Sequence, residues 1–247
     1  MATWSIFKFG GASVKDAAAL HNAIRVVRDY GQSPLVVVVS AMGKTTNALE
    51  AYLQQREQGF EAEAEKNLEA VIAYHAGIAQ EVGIWNESLE AKVHAEWQRI
   101  AALDTTAPYG QRYDARVSAG ELISSLILQA ALQSGGVDAG WIDARKVVKT
   151  NADHRRATVD WDATEGAISE AISREGVYVT QGFIASGPKG QTTTLGREGS
   201  DYSAAIFAYA LHAGELTIWK DVPGVLSGDP KVFQNVELLR EIPYTEA

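Results

Sequence analysis

The chain has 247 residues, of which 46% are hydrophobic and 21% are charged, and its formal net charge is −9. These values are ordinary for a globular protein with one large core or two small ones. The negative charge argues against nucleic acid or an anionic membrane as a partner. The sequence contains no cysteine, which excludes disulfides, a thiol nucleophile and thiolate metal sites.

The N-terminus lacks the basic and apolar regions of a signal peptide, and no apolar run approaches the ~18 residues of a membrane span. We therefore expect a cytoplasmic protein. The sequence shows no Gly-x-Ser-x-Gly elbow of a serine hydrolase, and its histidines lack metal-ligand spacing. We predict no metal-binding residue. The histidines are His21, His75, His94, His154 and His212.

The first predicted element is a strand over residues 4–9, an apolar and aromatic run that ends at two glycines. Gly10 and Gly11 let the backbone turn tightly, and a helix is predicted over residues 14–30. A strand, a glycine turn and a helix together aim backbone N–H groups at an anion, and Lys8 adds a positive charge. The pattern favours phosphate binding over the alternative of an ordinary turn beside a solvated lysine.

The rest of the chain alternates strands with helices. Strands are predicted at 35–40, within 137–149, at 177–185, at 191–195 (pairing back as a hairpin) and at 215–219. Helices are predicted at 46–59, 60–82, 87–103, 118–134, 162–174 (capped by Asp162) and 200–211 (capped by Ser200 or Asp201). This alternation predicts an α/β fold: a three-layer αβα sandwich around a mainly parallel sheet, with ligands at the carboxyl ends of its strands.

A second polar segment follows the apolar strand at 35–40. Residues 40–47 read Ser-Ala-Met-Gly-Lys-Thr-Thr-Asn, which imitates the end of a P-loop. Val38 stands where that motif needs a glycine, so a Walker A site is not expected. The hydroxyl-rich turn suits a carboxylate or a phosphate, and helix capping by Thr45 or Thr46 explains it equally well.

One further segment suggests an amino-acid ligand, and another carries an acidic residue at the start of an apolar helix. Residues 196–201 read Gly-Arg-Glu-Gly-Ser-Asp, in which Arg197 can bind a carboxylate and Asp201 can accept from an ammonium group. A surface loop with an aspartate cap is the alternative. Glu121 opens the helix predicted from residue 118, where it could simply complement the helix dipole.

The last polar segment, residues 219–231, is a turn-rich loop after a strand. It carries Lys220, Asp221, Asp229 and Lys231, side chains suited to a nucleotide and to the phosphates of a Mg²⁺ complex. Taken alone, it would pass as a loop.

These segments resemble the aspartokinases, a family of the amino-acid kinase superfamily, along essentially the whole chain. The matching stretches are residues 8–14, 40–47, 120–121, 196–201 and 220–224. The last stretch is shared across the superfamily, whereas the others are more specific to aspartokinases. Some positions depart from the family: Ala12 replaces the usual threonine, and Lys220, Leu226 and Lys231 stand where many members carry threonine, tyrosine and arginine.

The resemblance implies the amino-acid kinase fold and one catalytic domain over residues 1–247. An amino-acid-binding lobe would occupy about 1–190, and the start of a nucleotide-binding lobe would occupy about 191–247. The last residues resemble a family segment that continues as a helix from near Tyr244 and a further strand. We therefore expect the C-terminal part of the domain to be missing, and regulatory domains to lie beyond Ala247.

The implied reaction transfers the γ-phosphoryl group of ATP, with Mg²⁺, to the side-chain carboxylate of L-aspartate. The product, 4-phospho-L-aspartate, starts the pathway to lysine, threonine and methionine. No nucleic acid or membrane partner is expected, and the full-length protein is expected to form homo-oligomers. The alternatives are another kinase of the superfamily (acting on glutamate, N-acetylglutamate or UMP) and a non-catalytic module that binds an amino acid or nucleotide.

The resemblance also assigns site residues. The catalytic residues are Lys8 and Asp201. The substrate-binding residues are Ser40, Ala41 and Thr46 at the reacting carboxylate, Glu121 (with Asp201) at the ammonium group, Arg197 at the α-carboxylate, and Ser200. The nucleotide-binding residues are Gly10, Gly11, Ser13, Lys220, Asp221, Leu226 and Lys231.

Overall fold

The computed structural model describes residues 3–102, 106–172, 175–222, 224–243 and 245. Its strands are β1 (Ser5–Phe9), β2 (Leu35–Val39), β3 (Ala139–Ile142), β4 (Val177–Gln181), β5 (Ile184–Ser186), β6 (Thr192–Thr194) and β7 (Glu215–Trp219). Its helices are α1 (Ala17–Tyr30), α2 (Thr45–Glu57), α3 (Glu61–Glu81), α4 (Glu87–Ala101), α5 (Tyr109–Ser134), α6 (Ala144–Val147), α7 (Trp161–Ala171) and α8 (Gly199–Ala210). Among the described residues, no helix is both long enough and apolar enough to cross a bilayer.

The central sheet has five strands in the order β3-β4-β2-β1-β7, and every neighbouring pair is parallel. β1 is flanked on both sides, with Lys8 opposite Val38 of β2 and Ile218 of β7. A separate antiparallel hairpin joins β5 to β6, as predicted. The carboxyl ends of the parallel strands all meet at one edge of the sheet, which is where the predicted site residues lie.

Helices cover both faces of this sheet. In the fully buried strand β2, Val37 and Val39 belong to a core shared with α1 and α3–α5, whereas Val36 and Val38 belong to a second core shared with α6–α8. Successive side chains of a strand point to opposite faces, so an all-valine strand can serve both cores. The predicted three-layer αβα sandwich is confirmed. The predicted division into two lobes stays a prediction.

The glycine turn is longer than predicted. Gly11–Val14 forms a 3₁₀ turn, and α1 begins only at Ala17. Asp16 has an extended backbone and caps α1, because its carboxylate accepts a hydrogen bond of 2.7 Å from the backbone N–H of Ala19. At the other end, the N–H of Gly31 donates to the last turn of the helix and closes it.

The helix predicted from residue 118 begins nine residues earlier, at Tyr109, directly after Pro108. Its first turns are rich in polar side chains, so the apolar pattern starts late although the helix does not. Asp114, in this early part, is completely buried. Its burial depends on partners from distant parts of the chain, which sequence periodicity does not reveal.

The strand predicted over residues 177–185 is broken. Phe183 has a φ of 69°, a left-handed conformation that ends β4 and redirects the chain into β5 of the small hairpin. A side chain on the preceding Gly182 would lie 2.6 Å from Cβ of Ser200. The break therefore brings this loop against the start of α8.

Three predicted helix caps differ in the structure. Asp160, not Asp162, caps α7, since its carboxylate accepts from the N–H of Ala163 at 3.1 Å. α8 is preceded by Glu198 in a left-handed conformation, and neither Ser200 nor Asp201 caps it. α2 follows Lys44 without a side-chain cap. The helix predicted to begin near Tyr244 lies outside the described residues.

Candidate active site

A cleft of about 470 Å³ lies at the carboxyl ends of the central strands. It brings together most of the predicted catalytic and substrate-binding residues. Those lining it are Lys8, Ser40, Ala41, Thr46, Glu121, Ser200 and Asp201, and the predicted nucleotide-binding residues Gly11 and Lys220 line it as well. The sequence did not single out five further lining positions: Gly43, Phe183, Gly196, Glu198 and Gly199. Four of these five belong to the polar segments at 40–47 and 196–201, and only Phe183 had no sequence signal.

Lys8 projects into the cleft from β1, between two neighbouring strands. Its side chain is only 8% exposed, and Nζ lies 2.7 Å from Oδ1 of Asp201 at the start of α8. That carboxylate oxygen accepts no hydrogen bond of ordinary geometry, so the contact is an ion pair. A positive charge on a central strand is thereby held towards the cleft by a partner on the opposite wall.

The loops after β1 and β2 touch through their backbones. A side chain on Gly11 would place Cβ 2.6 Å from the carbonyl oxygen of Ala41, and the N–H of Gly43 donates to the carbonyl of Gly11 at 3.0 Å. Gly10 faces the lysine: a Cβ there would lie 3.7 Å from Nζ of Lys8. Glycine is therefore required at position 11 for the close approach that shapes the cleft floor.

Glu121 is a buried carboxyl group in the middle of α5, roughly three turns after its start at Tyr109. The alternative reading, a first-turn glutamate that complements the helix dipole, is therefore wrong. Its Oε1 accepts from the N–H of Ala41 at 3.3 Å, whereas Oε2 has no hydrogen-bond partner. Burial raises the pKa of Glu121 to about 8. A cationic ligand beside this group would favour its ionised form, whose unpaired oxygen can then accept from the ligand.

α5 also holds the loop after β2 in place. A Cβ on Gly120 would lie 2.9 Å from Cβ of Ala41, so the helix approaches this loop closely. The hydroxyl of Ser124 donates to the carbonyl of Ser40 at 2.7 Å. At the start of α2, Thr45 donates to the carbonyl of Met42 at 2.7 Å, while the next residue, Thr46, lines the cleft.

The segment before α8 carries Arg197 on an unusual backbone. Gly196 has a φ of 79° and Glu198 a φ of 55°, so two left-handed residues flank the arginine. The side chain of Arg197 is 95% exposed, and its guanidinium lies 3.9 Å from the Glu198 carboxylate. Arg197 does not line the cleft, whereas Ser200 and Asp201 do. Its predicted role with the substrate stays a prediction.

Apart from Gly10 and Gly11, the predicted nucleotide-binding residues divide into two groups. Ser13, Lys220 and Asp221 line a second depression of about 330 Å³ between α1 and the end of β7, and Lys220 lines the main cleft as well. Ser13 donates to the carbonyl of Trp219 at 3.2 Å, which ties the glycine turn to β7. Leu226 and Lys231 line neither depression. Their predicted contacts with a nucleotide stay predictions.

No group of three or more acidic, histidine or cysteine side chains suited to a metal ion occurs within the described ranges. In proteins generally, Mg²⁺ is bound by one or two carboxylates together with substrate phosphates and water.

Comparisons with known proteins agree with this geometry. A family model described as the amino acid kinase family matches residues 3–247. Lysine-sensitive aspartokinase 3 of Escherichia coli (strain K12) is 39% identical over 252 residues, covering 98% of this chain and 54% of that protein. A chloroplastic bifunctional aspartokinase/homoserine dehydrogenase of Daucus carota is 32% identical over 259 residues, covering 100% of this chain and 28% of that protein.

Among solved structures, the crystal structure of E. coli aspartokinase III in complex with aspartate and ADP superposes with a TM-score of 0.86. The two chains are 34% identical, and the match covers 95% of this chain and 53% of the other. The chain thus spans about half the length of its E. coli relative. The resemblance to aspartokinases that the motifs indicate is confirmed.

Proposed function

The chain belongs to the amino acid kinase family, and on that premise we propose that it transfers the γ-phosphoryl group of ATP to the side-chain carboxylate of L-aspartate. The product is 4-phospho-L-aspartate, the first intermediate of the route to lysine, threonine and methionine. One observation carries the proposal: the 34% identical structure that superposes at a TM-score of 0.86 is an aspartokinase with aspartate and ADP. The lysine, glutamate and aspartate side chains converging on the cleft suit those two ligands.

The chemistry needs no general base. A substrate carboxylate has a pKa of about 3.9 and is ionised at neutral pH, so it can attack the γ-phosphorus directly. A carboxylate oxygen forms the new bond to phosphorus as the bond to the β–γ bridging oxygen breaks, and ADP leaves. Catalysis then consists of positioning the two substrates and neutralising charge on the transferred group.

We assign that neutralisation to Lys8 and to the backbone N–H groups of Gly10 and Gly11. The ion pair of Lys8 with Asp201 supports the assignment, because it keeps the ammonium group directed into the cleft. Lys220 and Ser13, with Asp221, Leu226 and Lys231, are assigned to the nucleotide.

Glu121 and Asp201 are assigned to the ammonium group of aspartate. The unpaired Oε2 of Glu121 supports this role, since a buried oxygen without a donor gains most from a cationic partner. Ser40, Ala41 and Thr46 are assigned to the reacting carboxylate.

We assign the α-carboxylate of aspartate to Arg197 and Ser200. Arg197 is exposed in this structure, so the assignment requires its side chain to turn inwards when aspartate binds. The left-handed residues on either side of it, Gly196 and Glu198, are compatible with a turn that adopts a second arrangement.

Mg²⁺ with ATP is part of the proposal. When bound, Mg²⁺ neutralises charge on the phosphates. Lys8 and Lys220 cannot hold it because they are cations, so the phosphates of ATP would be its main ligands, and Asp221 stays assigned to the nucleotide.

The decisive experiment measures ADP release by the full-length protein with aspartate, glutamate, N-acetylglutamate and UMP as acceptors. We expect release with aspartate and little with the others. Lys8→Ala should lower kcat by orders of magnitude while changing aspartate affinity much less, because Lys8 acts on charge that develops in the transition state. Lys92→Ala, at an exposed position of α4, is the matched control and should keep wild-type kcat.

Two outcomes would contradict the proposal. ADP release with another acceptor would assign the chain to a different kinase of the family. Aspartate or nucleotide binding in a thermal-shift assay without any ADP release would favour a non-catalytic binding module. Near-normal kcat in Lys8→Ala would overturn the role of that residue alone.

Location and assembly are further parts of the proposal. We propose that the protein acts in the cytoplasm and that its full-length form is a homo-oligomer. Light scattering on the full-length protein tests the second statement, and a monomeric mass would contradict it.

A further inference from the structure

Asp114 is a second buried carboxyl group on α5, about two helical turns before Glu121. Its side chain is 0% exposed. It accepts hydrogen bonds from Oγ1 of Thr194 at 2.7 Å and from the backbone N–H of Arg155 at 3.0 Å, and it lies 2.7 Å from Nδ1 of His154. Burial raises the pKa of Asp114, and these hydrogen bonds oppose the rise. None of the proposed catalytic steps uses this group.

The partners of Asp114 lead directly to the substrate turn. Thr194 ends β6, two residues before Gly196, and its carbonyl accepts from the N–H of Ala157 at 2.9 Å. A Cβ on Gly196 would lie only 3.1 Å from the carbonyl oxygen of Arg155. The segment 154–157 is therefore held between α5 on one side and the turn that carries Arg197 on the other.

The outer side of this segment is also fixed. The guanidinium of Arg155 lies 4.7 Å from the centre of the Tyr113 ring, a cation–π contact. The hydroxyl of Tyr113 donates to Glu50 on α2. A Cβ on Gly110 would lie 2.9 Å from Cβ of His154, so the first turns of α5 approach the segment closely.

We propose that Asp114 is a positioning residue for the amino-acid substrate: it fixes segment 154–157 and Thr194, and through them the Gly196–Ser200 turn. The inference rests on the proposed function, because it gives that turn the task of binding aspartate. Helix α5 would then contribute to substrate binding in two ways: Glu121 lines the cleft, and Asp114 fixes the position of the opposite wall.

The test compares Asp114→Ala and Asp114→Asn with wild type in steady-state kinetics on the full chain. Asparagine keeps one oxygen that can accept from Thr194 and from the Arg155 N–H, but its amide nitrogen replaces the oxygen that faces Nδ1 of His154. We expect KM for aspartate to rise about tenfold or more in Asp114→Ala and less in Asp114→Asn, with kcat and KM for ATP within about threefold of wild type.

Asp160→Ala is the matched control, because it also removes a carboxylate that accepts a backbone hydrogen bond, at the start of α7. It should lower the melting temperature without changing KM for aspartate. If Asp114→Ala does not fold, Thr194→Val, which removes one hydrogen bond at nearly constant volume, replaces it. A lowered melting temperature with unchanged KM for aspartate in the folded variants would overturn the inference.

Hydrogen exchange separates this inference from the proposed function. In Asp114→Asn, we expect amides of residues 195–201 to lose protection while those of β1 and β2 keep it. This result would support the positioning role even if the wild-type chain phosphorylated no acceptor. Unchanged protection of residues 195–201 would refute the role even if the wild-type chain were an active aspartate kinase.

Discussion

Replacing Glu121 by glutamine should make the folded chain less sensitive to alkaline pH. The usual pKa of a glutamate is 4.5, whereas burial raises that of Glu121 to about 8. Between these values the folded state keeps a proton that the unfolded state has lost. The stability that this proton contributes is therefore fully present below pH 4.5 and is lost as pH rises towards about 8.

The magnitude follows from the difference between the two pKa values. Each pH unit in this window removes about 1.4 kcal/mol, so the loss between about pH 6 and about pH 8 is about 2 kcal/mol. In Glu121→Gln this loss disappears, since glutamine does not ionise. The glutamine amide still offers an oxygen to the N–H of Ala41.

Urea unfolding followed by tryptophan fluorescence, at the two pH values and without substrate, measures the effect. The free energy of unfolding of wild type should fall by about 2 kcal/mol more than that of Glu121→Gln. Glu198→Gln is the control: Glu198 also lines the cleft, but its side chain is 73% exposed, so its replacement should keep the wild-type pH dependence. Equal pH dependence in wild type and Glu121→Gln would refute the reasoning.

Three further predictions concern other residues. Gly11→Ala should destabilise the chain by about 1–3 kcal/mol, because the added Cβ would meet the carbonyl oxygen of Ala41. Gly77→Ala is the control: a Cβ there has free space in a helix, so this change should be neutral or stabilising. Thermal unfolding of the two variants distinguishes these outcomes. Burial lowers the pKa of His75 from 6.5 to about 4, so between these values the unfolded state binds a proton that the folded state does not. The free energy of unfolding should therefore fall by about 3 kcal/mol as pH drops from 6.5 towards 4. In urea titrations, His75→Gln should lack this fall. Arg197→Lys should raise KM for aspartate more than KM for ATP, since lysine cannot pair bidentately with a carboxylate; an effect on ATP alone would place Arg197 with the nucleotide.

The sheet and one wall of the cleft could be predicted because their signals are local. An apolar run such as residues 35–39 has few interpretations other than a strand buried on both faces. A glycine pair after the first strand implies a close backbone approach, and Gly11 makes one with the next loop. The position of Lys8 at the site could also be predicted, because Lys8 lies near the carboxyl end of this strand, and ligands bind at the carboxyl ends of parallel strands.

The features that the sequence did not predict depend on contacts between residues that are far apart in the chain. The early start of α5 was hidden because its first turns are polar, and Asp114 in them is buried through contacts with residues some 40 and 80 positions away. The left-handed backbones of Phe183 and Glu198 occur at residue types that rarely adopt them, so no local rule places them there. Sequence could name Arg197 as a ligand for a carboxylate, but not the direction of its side chain.

The position of β1 in the sheet has a consequence for how the chain folds. β1 is synthesised shortly before its neighbour β2, but its other neighbour, β7, arrives roughly 200 residues later. The contact between Lys8 and Asp201 likewise joins distant parts of the sequence. Closing so long a loop is slow, and until it closes one edge of β1 offers unpaired backbone groups to other chains. We expect the cleft to form only after β1 has paired with β7, so that the ability to bind substrate reports this pairing.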